Sequence, residues 1–487
     1  MDDPIERTHT TRQQKLSILI TQGSMGRAIR LLAWPSLAMY LLLVPTWAVQ
    51  MYFLSNFGKE YVAAATIGVL VAWIGICLGN IIAVGSPTLI SQAVGRGRWD
   101  EAREIIAASI QHAILIGVLC GVVLFTTRDF LLQALGLEHN VAELAKYYVV
   151  VVAMLVPVFS LNHAFSSAFV GLGEMMVALR SGVVVAVITM VGSALLIPGV
   201  SIHVLGVDMT VVPSLDLKGA ALSMGAGRLA GMLYVGWWLR NTPICPRMSM
   251  LWQKFNILWH RAIIRLGTPG AIEALQQQVS SFVLLRILNQ TIHPTSATAA
   301  FGVGDTVAAL FFAPAMGYAM AAVPITGQNV GAGKLKRARR SGWLVSGHTA
   351  LIMSILGVLL FVFAAPITEH WAPIETDPDY HRYLLWYLRS TAVLGPFVGV
   401  LAVLMGVFRG AGDTVTPACL AVASTWLARG LQWVVCVRLG FDVVAAWWSW
   451  TAVLIVTSFA LVFLFQRGTW LRAARGAQKS GHQADSV

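Results

Sequence analysis

Apolar residues in this chain fall into runs of about 20, and short polar segments separate one run from the next. A run of this length can cross the hydrocarbon core of a bilayer as an α-helix. The pattern predicts twelve membrane-spanning helices, so we expect an all-α polytopic membrane protein. The predicted spans cover residues 31–55, 62–85, 105–126, 146–170, 181–200, 218–239, 262–288, 298–323, 341–365, 383–408, 414–437 and 442–466.

The composition supports this class of protein. Hydrophobic residues make up 57% of the 487 residues, charged residues make up 11%, and the mean hydropathy is +0.72. A soluble protein carries roughly 25% charged residues. The five cysteines show no C-x-x-C spacing, and the chain has no nucleotide-binding, metalloprotease, hydrolase or haem motif. We therefore predict neither an enzyme nor a protein with a bound metal or cofactor.

The basic residues predict the orientation in the membrane. The net charge is +12, and most of the 34 Lys and Arg residues lie on one side if the N-terminus is cytoplasmic. The positive-inside rule then places both termini in the cytoplasm. We expect the protein in the inner (plasma) membrane. Because the charge is spread over several loops, it favours contact with lipid headgroups and not with nucleic acid. We expect a monomer.

The chain contains an internal repeat. The segment Ser91–Arg98 (SQAVGRGR) matches Gly327–Lys334 (GQNVGAGK), and the GLGE motif at Gly171 matches the GAGD motif at Gly410. An even number of spans per repeat gives both halves the same orientation. This is the parallel-repeat plan of several secondary transporters, in which the substrate site lies between the halves.

The repeat predicts how the chain divides into domains. Two six-helix lobes are flanked by tails and joined by a linker. The predicted boundaries are 1–25 for a cytoplasmic tail, 26–240 for the N-lobe, 241–261 for a cytoplasmic linker, 262–467 for the C-lobe and 468–487 for a second cytoplasmic tail.

Two carboxylates lie clearly at membrane depth, Glu273 in span 7 and Asp305 in span 8. A charged side chain at this depth has a high free-energy cost unless it faces a polar cavity, so we treat each of these residues as a candidate functional residue. A carboxylate in a low-dielectric setting takes up a proton more readily than one in water. We predict that both acids couple transport to a proton or another cation. Alternatively, each pairs locally with Arg286, Arg429 or a glutamine amide and takes no part in transport.

Polar side chains at membrane depth are candidates for contacts with a substrate. Apolar walls with few polar anchors are typical of sites with broad specificity. A single histidine in a span is more often an interhelical hydrogen-bond donor than a proton relay. The candidate residues are Gln50, Asn80, Asn162, His163, Gln276, Gln277 and Arg429.

Several motifs point to a known family. PTLISQAVGRGRWDEAR follows span 2, PITGQNVGAGKLKRARR follows span 8 and FRGAGDTVTP follows span 10. In this combination and order they resemble the multidrug and toxic compound extrusion (MATE) family of antiporters. LGTPGAIE in span 7 resembles the DinF-like branch, in which an acidic or amide residue stands at the position of Glu273. The resemblance implies export of amphipathic, often cationic, organic compounds in exchange for H+ or Na+ by alternating access.

The chain departs from the family pattern in its first half. Gln50 stands where the family often has an Asp in span 1, and Thr189 and Ser193 replace the N-x-x-x-D pattern of span 5. Those acids form the first-half cation site that the resemblance implies. Either coupling has moved to Glu273 and Asp305, or the protein is a poorly coupled relative with another substrate. One alternative is a flippase for lipid-linked precursors or another metabolite exporter of the same superfold, and a second is a non-transporting membrane protein.

Overall fold

The structure is a computed structural model, and it describes residues 4–134, 139–204, 207–242, 244–247, 250–251 and 256–483. Long helices dominate both halves of the chain. The first half contains α1 (Pro4–Thr21), α2 (Met25–Leu41), α3 (Leu43–Ser55), α4 (Lys59–Gly95), α5 (Trp99–Ala134), α6 (His139–Leu172), α7 (Met175–Leu196) and α8 (Asp216–Arg240). The second half contains α9 (Ile257–Leu288), α10 (Pro294–Gly331), α11 (Leu335–Trp371), α12 (Pro378–Ala411), α13 (Val415–Trp433), a π-helical turn (Val434–Arg438), α14 (Val443–Arg467) and α15 (Trp470–Gln483).

Each of the twelve predicted spans is helical in the structure. Among the described residues, ten helical segments are long and apolar enough to cross a membrane. The other two spans are α8, with 25 residues, and α9, with 32 residues, which are long enough but less apolar. In α9 the polar residues include Glu273 and the three glutamines that follow it. The prediction of a polytopic helical membrane protein is therefore confirmed.

Two local features add detail to the predicted spans. Span 1 is built from two helices, α2 and α3, because Pro45 at the start of α3 lacks an N–H group and cannot continue the hydrogen bonding of α2. A short antiparallel hairpin of β1 (Val200–Val204) and β2 (Val207–Val212) connects α7 to α8. Both strands are rich in β-branched residues, which favour extended backbone.

The internal repeat is visible in the helix lengths and in the turns. Helices α4, α5 and α6 have 37, 36 and 34 residues, and α10, α11 and α12 have 38, 37 and 34. The turn after α4 places Gly97 at a φ of 77°, and the turn after α10 places Gly333 at 74°. Gly173 and Gly412 likewise have φ values of 84° and 91°. Glycine adopts these left-handed conformations without a steric cost, which explains the repeated glycine motifs.

Close helix packing is repeated as well. A Cβ atom added to Gly121 in α5 would lie 2.6 Å from the carbonyl oxygen of Ala153 in α6. The same atom on Gly357 in α11 would lie 2.7 Å from the carbonyl oxygen of Ala392 in α12. Small residues let membrane helices approach closely enough to pack backbone on backbone. The two halves thus share their packing geometry as well as their sequence motifs.

The structure forms two compact units, and each unit includes a short segment that lies outside the predicted lobe it otherwise matches. Unit 1 comprises Met1–Ile18 and Leu41–Ala271, and unit 2 comprises Leu19–Tyr40 and Ile272–Val487. The predicted lobe boundaries at 240 and 262 follow the membrane spans, whereas the units divide spans 1 and 7 within their length. Gly270 explains the second division, because a Cβ atom there would lie 2.7 Å from Val84 of α4. The start of α9 therefore packs within unit 1.

We predict that Gly357→Ala destabilises the protein by about 1–3 kcal/mol, because the added methyl group meets the carbonyl oxygen of Ala392. Gly347→Ala on the same helix is the matched control, since its Cβ would have no neighbour within 4 Å. We expect the control to be neutral or slightly stabilising. Thermal unfolding of the purified variants in neutral detergent measures both effects. Equal unfolding midpoints would contradict this packing of α11 against α12.

Asp377 generates a pH-dependent prediction. It caps α12 by accepting hydrogen bonds from the backbone N–H groups of Tyr380 and Asp379 at 2.9 and 3.1 Å, and the hydroxyl of Ser296 donates a third at 2.7 Å. The Tyr380 and Ser296 bonds hold the pKa of Asp377 below its usual range. The stability from this cap is therefore complete above the unfolded-state pKa of about 4 and is lost as pH falls through the lower folded-state value.

We expect Asp377→Ala to lower the stability by about 1 kcal/mol at neutral pH. The difference between wild type and variant should shrink in acid, because the wild-type carboxylate becomes protonated. Melting curves over a pH series measure this difference, and Glu375→Ala in the same loop is the control for loss of an exposed carboxylate. A difference that stays constant down to the lowest pH would be inconsistent with a cap that depends on charge.

Candidate functional site

Glu273 forms an ion pair inside unit 2. It lies in α9, four residues after Pro269, and its Oε2 atom is 2.6 Å from Nη2 of Arg409 in the last turn of α12. The Glu273 and Arg409 side chains are 22% and 25% exposed, so the pair is only partly accessible. A charge-assisted hydrogen bond of this length stabilises the ionised carboxylate. Protonation of Glu273 would remove the charge that holds Arg409.

Sequence reasoning found the carboxylate but not its partner. The local alternative names Arg286, Arg429 or a glutamine amide, whereas the partner in the structure is Arg409. The repeat contains the missed signal. Arg409 precedes the repeated Gly410 motif at the position where the first half has Val170. An arginine that breaks an otherwise regular repeat is a candidate for a function specific to one half.

Asp305 lies in α10 and is exposed. Among the described residues it forms no hydrogen bond and no ion pair, and its charge interacts at longer range with Arg429 and Tyr387. Asp305 is thus unlike Glu273, whose charge is already neutralised by a direct partner. The two predicted coupling acids have different surroundings within the same unit.

Arg429 is buried, and its hydrogen bonds are made to protein groups. Its Nε atom donates to the carbonyl oxygen and hydroxyl of Ser280 at 3.1 and 2.8 Å. Its Nη1 atom donates to Gln432 at 2.7 Å, and the guanidinium lies 4.6 Å from the ring centre of Trp450. These contacts join α9, α13 and α14. The geometry therefore favours a structural role for Arg429 over direct contact with a substrate.

The three glutamines among the candidates have three different environments. Gln50 is 3% exposed, and its Nε2 atom donates to the carbonyl oxygen of Ala220 at 2.8 Å, so it joins α3 to α8. Gln276 lies one turn after Glu273, and its Oε1 atom is buried without a hydrogen-bond partner. Gln277 is exposed. Of these three, Gln276 has a buried acceptor that no protein group satisfies, which is what a ligand contact requires.

The first-half candidates lie in unit 1. Asn80 in α4 and His163 in α6 are half-buried, and the Nδ2 atom of Asn162 is buried without a hydrogen-bond partner. The charge of Arg228 in α8 interacts with His163. Arg228 is not among the residues that the sequence analysis singled out, although it lies within predicted span 6. The electrostatic environment of these candidates is thus basic.

A duplicated helical membrane protein with a charged pair in one half belongs to the class of parallel-repeat transporters. The MatE family model matches residues 35–195 and 269–434, which is more than half of the chain. The chain belongs to the MatE family of membrane transporters. The resemblance to MATE proteins in the sequence motifs is thereby confirmed, while the assignment to the DinF-like branch stays a prediction.

Similar proteins and structures agree with this assignment. The probable multidrug resistance protein NorM of Thermotoga maritima is 23% identical over 435 residues, which are 87% of this chain and 88% of NorM. A MATE protein crystallised in complex with MaL6 has a TM-score of 0.83 at 18% identity and covers 94% of this chain and 99% of its own. A MOP superfamily transporter from Pyrococcus furiosus has a TM-score of 0.83 at 19% identity, with 94% and 98% covered.

A double-mutant cycle tests the Glu273–Arg409 pair. We expect Glu273→Gln and Arg409→Gln each to destabilise the protein, and the double variant to recover about 1–3 kcal/mol relative to the sum of the two. This is less than for a fully buried pair, because both side chains keep some solvent contact. Unfolding in denaturant or by heat in detergent measures the coupling.

The control cycle uses Asp100 and Arg103, whose charged atoms are 2.8 Å apart but whose Asp100 side chain is 90% exposed. We expect its coupling to stay below about 0.5 kcal/mol. Equal coupling energies in the two cycles would argue against a special role of the Glu273–Arg409 pair in the structure.

Proposed function

We propose that this protein is a secondary active exporter of amphipathic organic compounds, often cationic, in exchange for H+ or Na+ by alternating access. Membership of the MatE family and the similarity to a probable multidrug resistance protein support export. We further propose that it acts as a monomer in the inner membrane, with both termini in the cytoplasm. It would need no cofactor beyond the coupling ion.

The ion pair between Glu273 and Arg409 is the observation that carries the coupling mechanism. In the ionised state the carboxylate holds the last turn of α12 to the middle of α9. Protonation, or binding of a cation to the carboxylate, weakens this contact with Arg409. Pro269 interrupts the hydrogen bonding of α9 one turn earlier, so the helix can bend close to the carboxylate.

Competition for the same carboxylate gives exchange. A cationic substrate and a coupling ion cannot both neutralise Glu273, so loading of one favours release of the other. Asp305 is the second candidate, because it has no direct ionic partner among the described residues and can accept a proton or cation without breaking a bond. We assign Glu273 the coupling role and Asp305 a supporting role.

Export of a lipid-linked precursor or another metabolite is the alternative function. Arg228 favours it, because this intramembrane arginine has no carboxylate within ion-pair distance among the described residues and is suited to an acidic group. The Pyrococcus transporter, which shares the fold, is reported to have a binding pocket of reversed polarity that suggests a different function. Lipid flipping in proteoliposomes without gradient-driven dye export would favour this alternative.

We expect Glu273→Gln to abolish gradient-driven efflux of a cationic dye from proteoliposomes, because glutamine carries no charge in either step of the cycle. Proton and sodium gradients are imposed separately to identify the coupling ion. Glu375→Gln is the control, since Glu375 is an exposed carboxylate in the loop between α11 and α12. Wild-type efflux by the Glu273 variant would refute the coupling role.

A further inference from the structure

Arg228 lies at the centre of α8, twelve residues from both Asp216 and Arg240. This places it about 18 Å along the helix from either end. Among the described residues the guanidinium forms no hydrogen bond and no ion pair, and it lies over the ring of Phe159, whose centre is 5.3 Å away. A positive charge at this depth is costly unless an anion or water compensates it.

The side chains around Arg228 add donors but no acidic group. Phe159 and His163 lie one turn apart on α6, and the charge of Arg228 interacts with His163. The Nδ2 atom of Asn162 is a buried donor that has no hydrogen-bond partner in the part of the chain that the structure describes. It lies 3.4 Å from where a Cβ atom of Gly231 would stand, one turn from Arg228. Unsatisfied donors beside an unpaired guanidinium are complementary to an anion.

Two other arginines in the predicted spans differ from Arg228 in what surrounds them. Arg429 is held by Ser280, Gln432 and Trp450, so its Nε and Nη1 donors are used within the protein. Arg389 also has a buried Nε atom without a partner among the described residues, but it lies 5.2 Å from the ring centre of Phe361, which is 42% exposed and therefore on the outer surface of the helices. Phe159, by contrast, is 5% exposed. Arg228 thus faces the interior of unit 1.

We propose that Arg228, His163, Asn162 and Phe159 form a binding site for the acidic group, a phosphate or a carboxylate, of an amphipathic organic anion. The guanidinium pairs with two oxygens of the acidic group, a geometry that arginine favours. The Asn162 amide donates a further hydrogen bond, and the ring of Phe159 contacts the apolar part of the ligand. That this ligand is also transported rests on the export function proposed above, whereas its binding does not.

Binding of charged amphiphiles to the purified full-length chain in neutral detergent tests this site. The probes are octyl phosphate and octyltrimethylammonium, which share an alkyl chain and differ in the sign of the charge. We expect saturable binding of octyl phosphate, weakened at least about tenfold by Arg228→Gln, since a charge-assisted hydrogen bond is lost. Arg228→Lys retains the charge but not the fork of donors. Its affinity for octyl phosphate should therefore lie between those of the wild type and Arg228→Gln.

Arg389→Gln is the matched control, because it removes an intramembrane arginine that also lies over an aromatic ring. Its affinity for octyl phosphate should equal that of the wild type. Equal affinities of the wild type and Arg228→Gln would overturn the proposal. A wild type that shows no saturable binding of octyl phosphate would overturn it too, and this measurement needs no variant to fold.

The source of the anion is distinguished in nanodiscs of phosphatidylcholine alone or with phosphatidylglycerol. If a lipid headgroup occupies the site, phosphatidylglycerol lowers the affinity of the wild type for octyl phosphate, and this effect is absent in Arg228→Gln. If the ligand is a soluble organic anion, the wild type binds octyl phosphate with equal affinity in nanodiscs with and without phosphatidylglycerol. Either result supports an anion site that depends on Arg228.

The binding assay uses no ion gradient, so its outcome is independent of the coupling mechanism. If anion binding is absent but Glu273-dependent efflux is intact, only the proposed anion site is refuted. If anions bind but no gradient-driven efflux occurs, only the proposed export function is refuted.

Discussion

A charged side chain inside a membrane protein has to be neutralised, hydrogen-bonded or bound to a ligand, and the structure solves this problem in different ways. Glu273 and Arg409 neutralise each other at 2.6 Å inside unit 2. Arg429 instead satisfies its donors with Ser280 and Gln432. Because the penalty for an unpaired charge is large in a low-dielectric environment, these contacts also determine which helices must stay together. A transporter can use such a contact as a switch, since adding or removing one proton changes its energy.

The scaffold is repeated, whereas the charges are not. Gly121 and Gly357 pack against equivalent backbone carbonyls, and the equivalent turns have the same left-handed glycines. The position equivalent to Arg409 is Val170 in the first half, and the position equivalent to Glu273, counted from the repeated proline, is Met39. The two halves thus share a helical scaffold, but among the described residues one unit has the Glu273–Arg409 ion pair and the other has an arginine, Arg228, without an ionic partner.

Much of the architecture was predictable because its physical causes are local. A run of about 20 apolar residues has few alternatives to a membrane helix, and glycine at a turn with positive φ leaves a recognisable motif. The hairpin before α8 was missed, since a pattern of apolar runs locates membrane helices but not the strands between them. Among the site residues, Glu273 was identified by its depth, while Arg409, near the end of α12, was not identified.

The amino-acid sequence by itself determined the class of protein, the helical spans, the repeat and the family, because hydrophobic length and turn chemistry act over short stretches of chain. Only the tertiary structure decided which charges meet. Glu273 in α9 and Arg409 in α12 are separated by two whole helices, α10 and α11, in the chain, and Gln50, predicted to contact a substrate, donates its hydrogen bond to Ala220. The same reason applies to Arg228. Sequence shows an arginine in a span, but only the packing of α6 against α8 shows that it has an aromatic ring for a neighbour and no acidic partner.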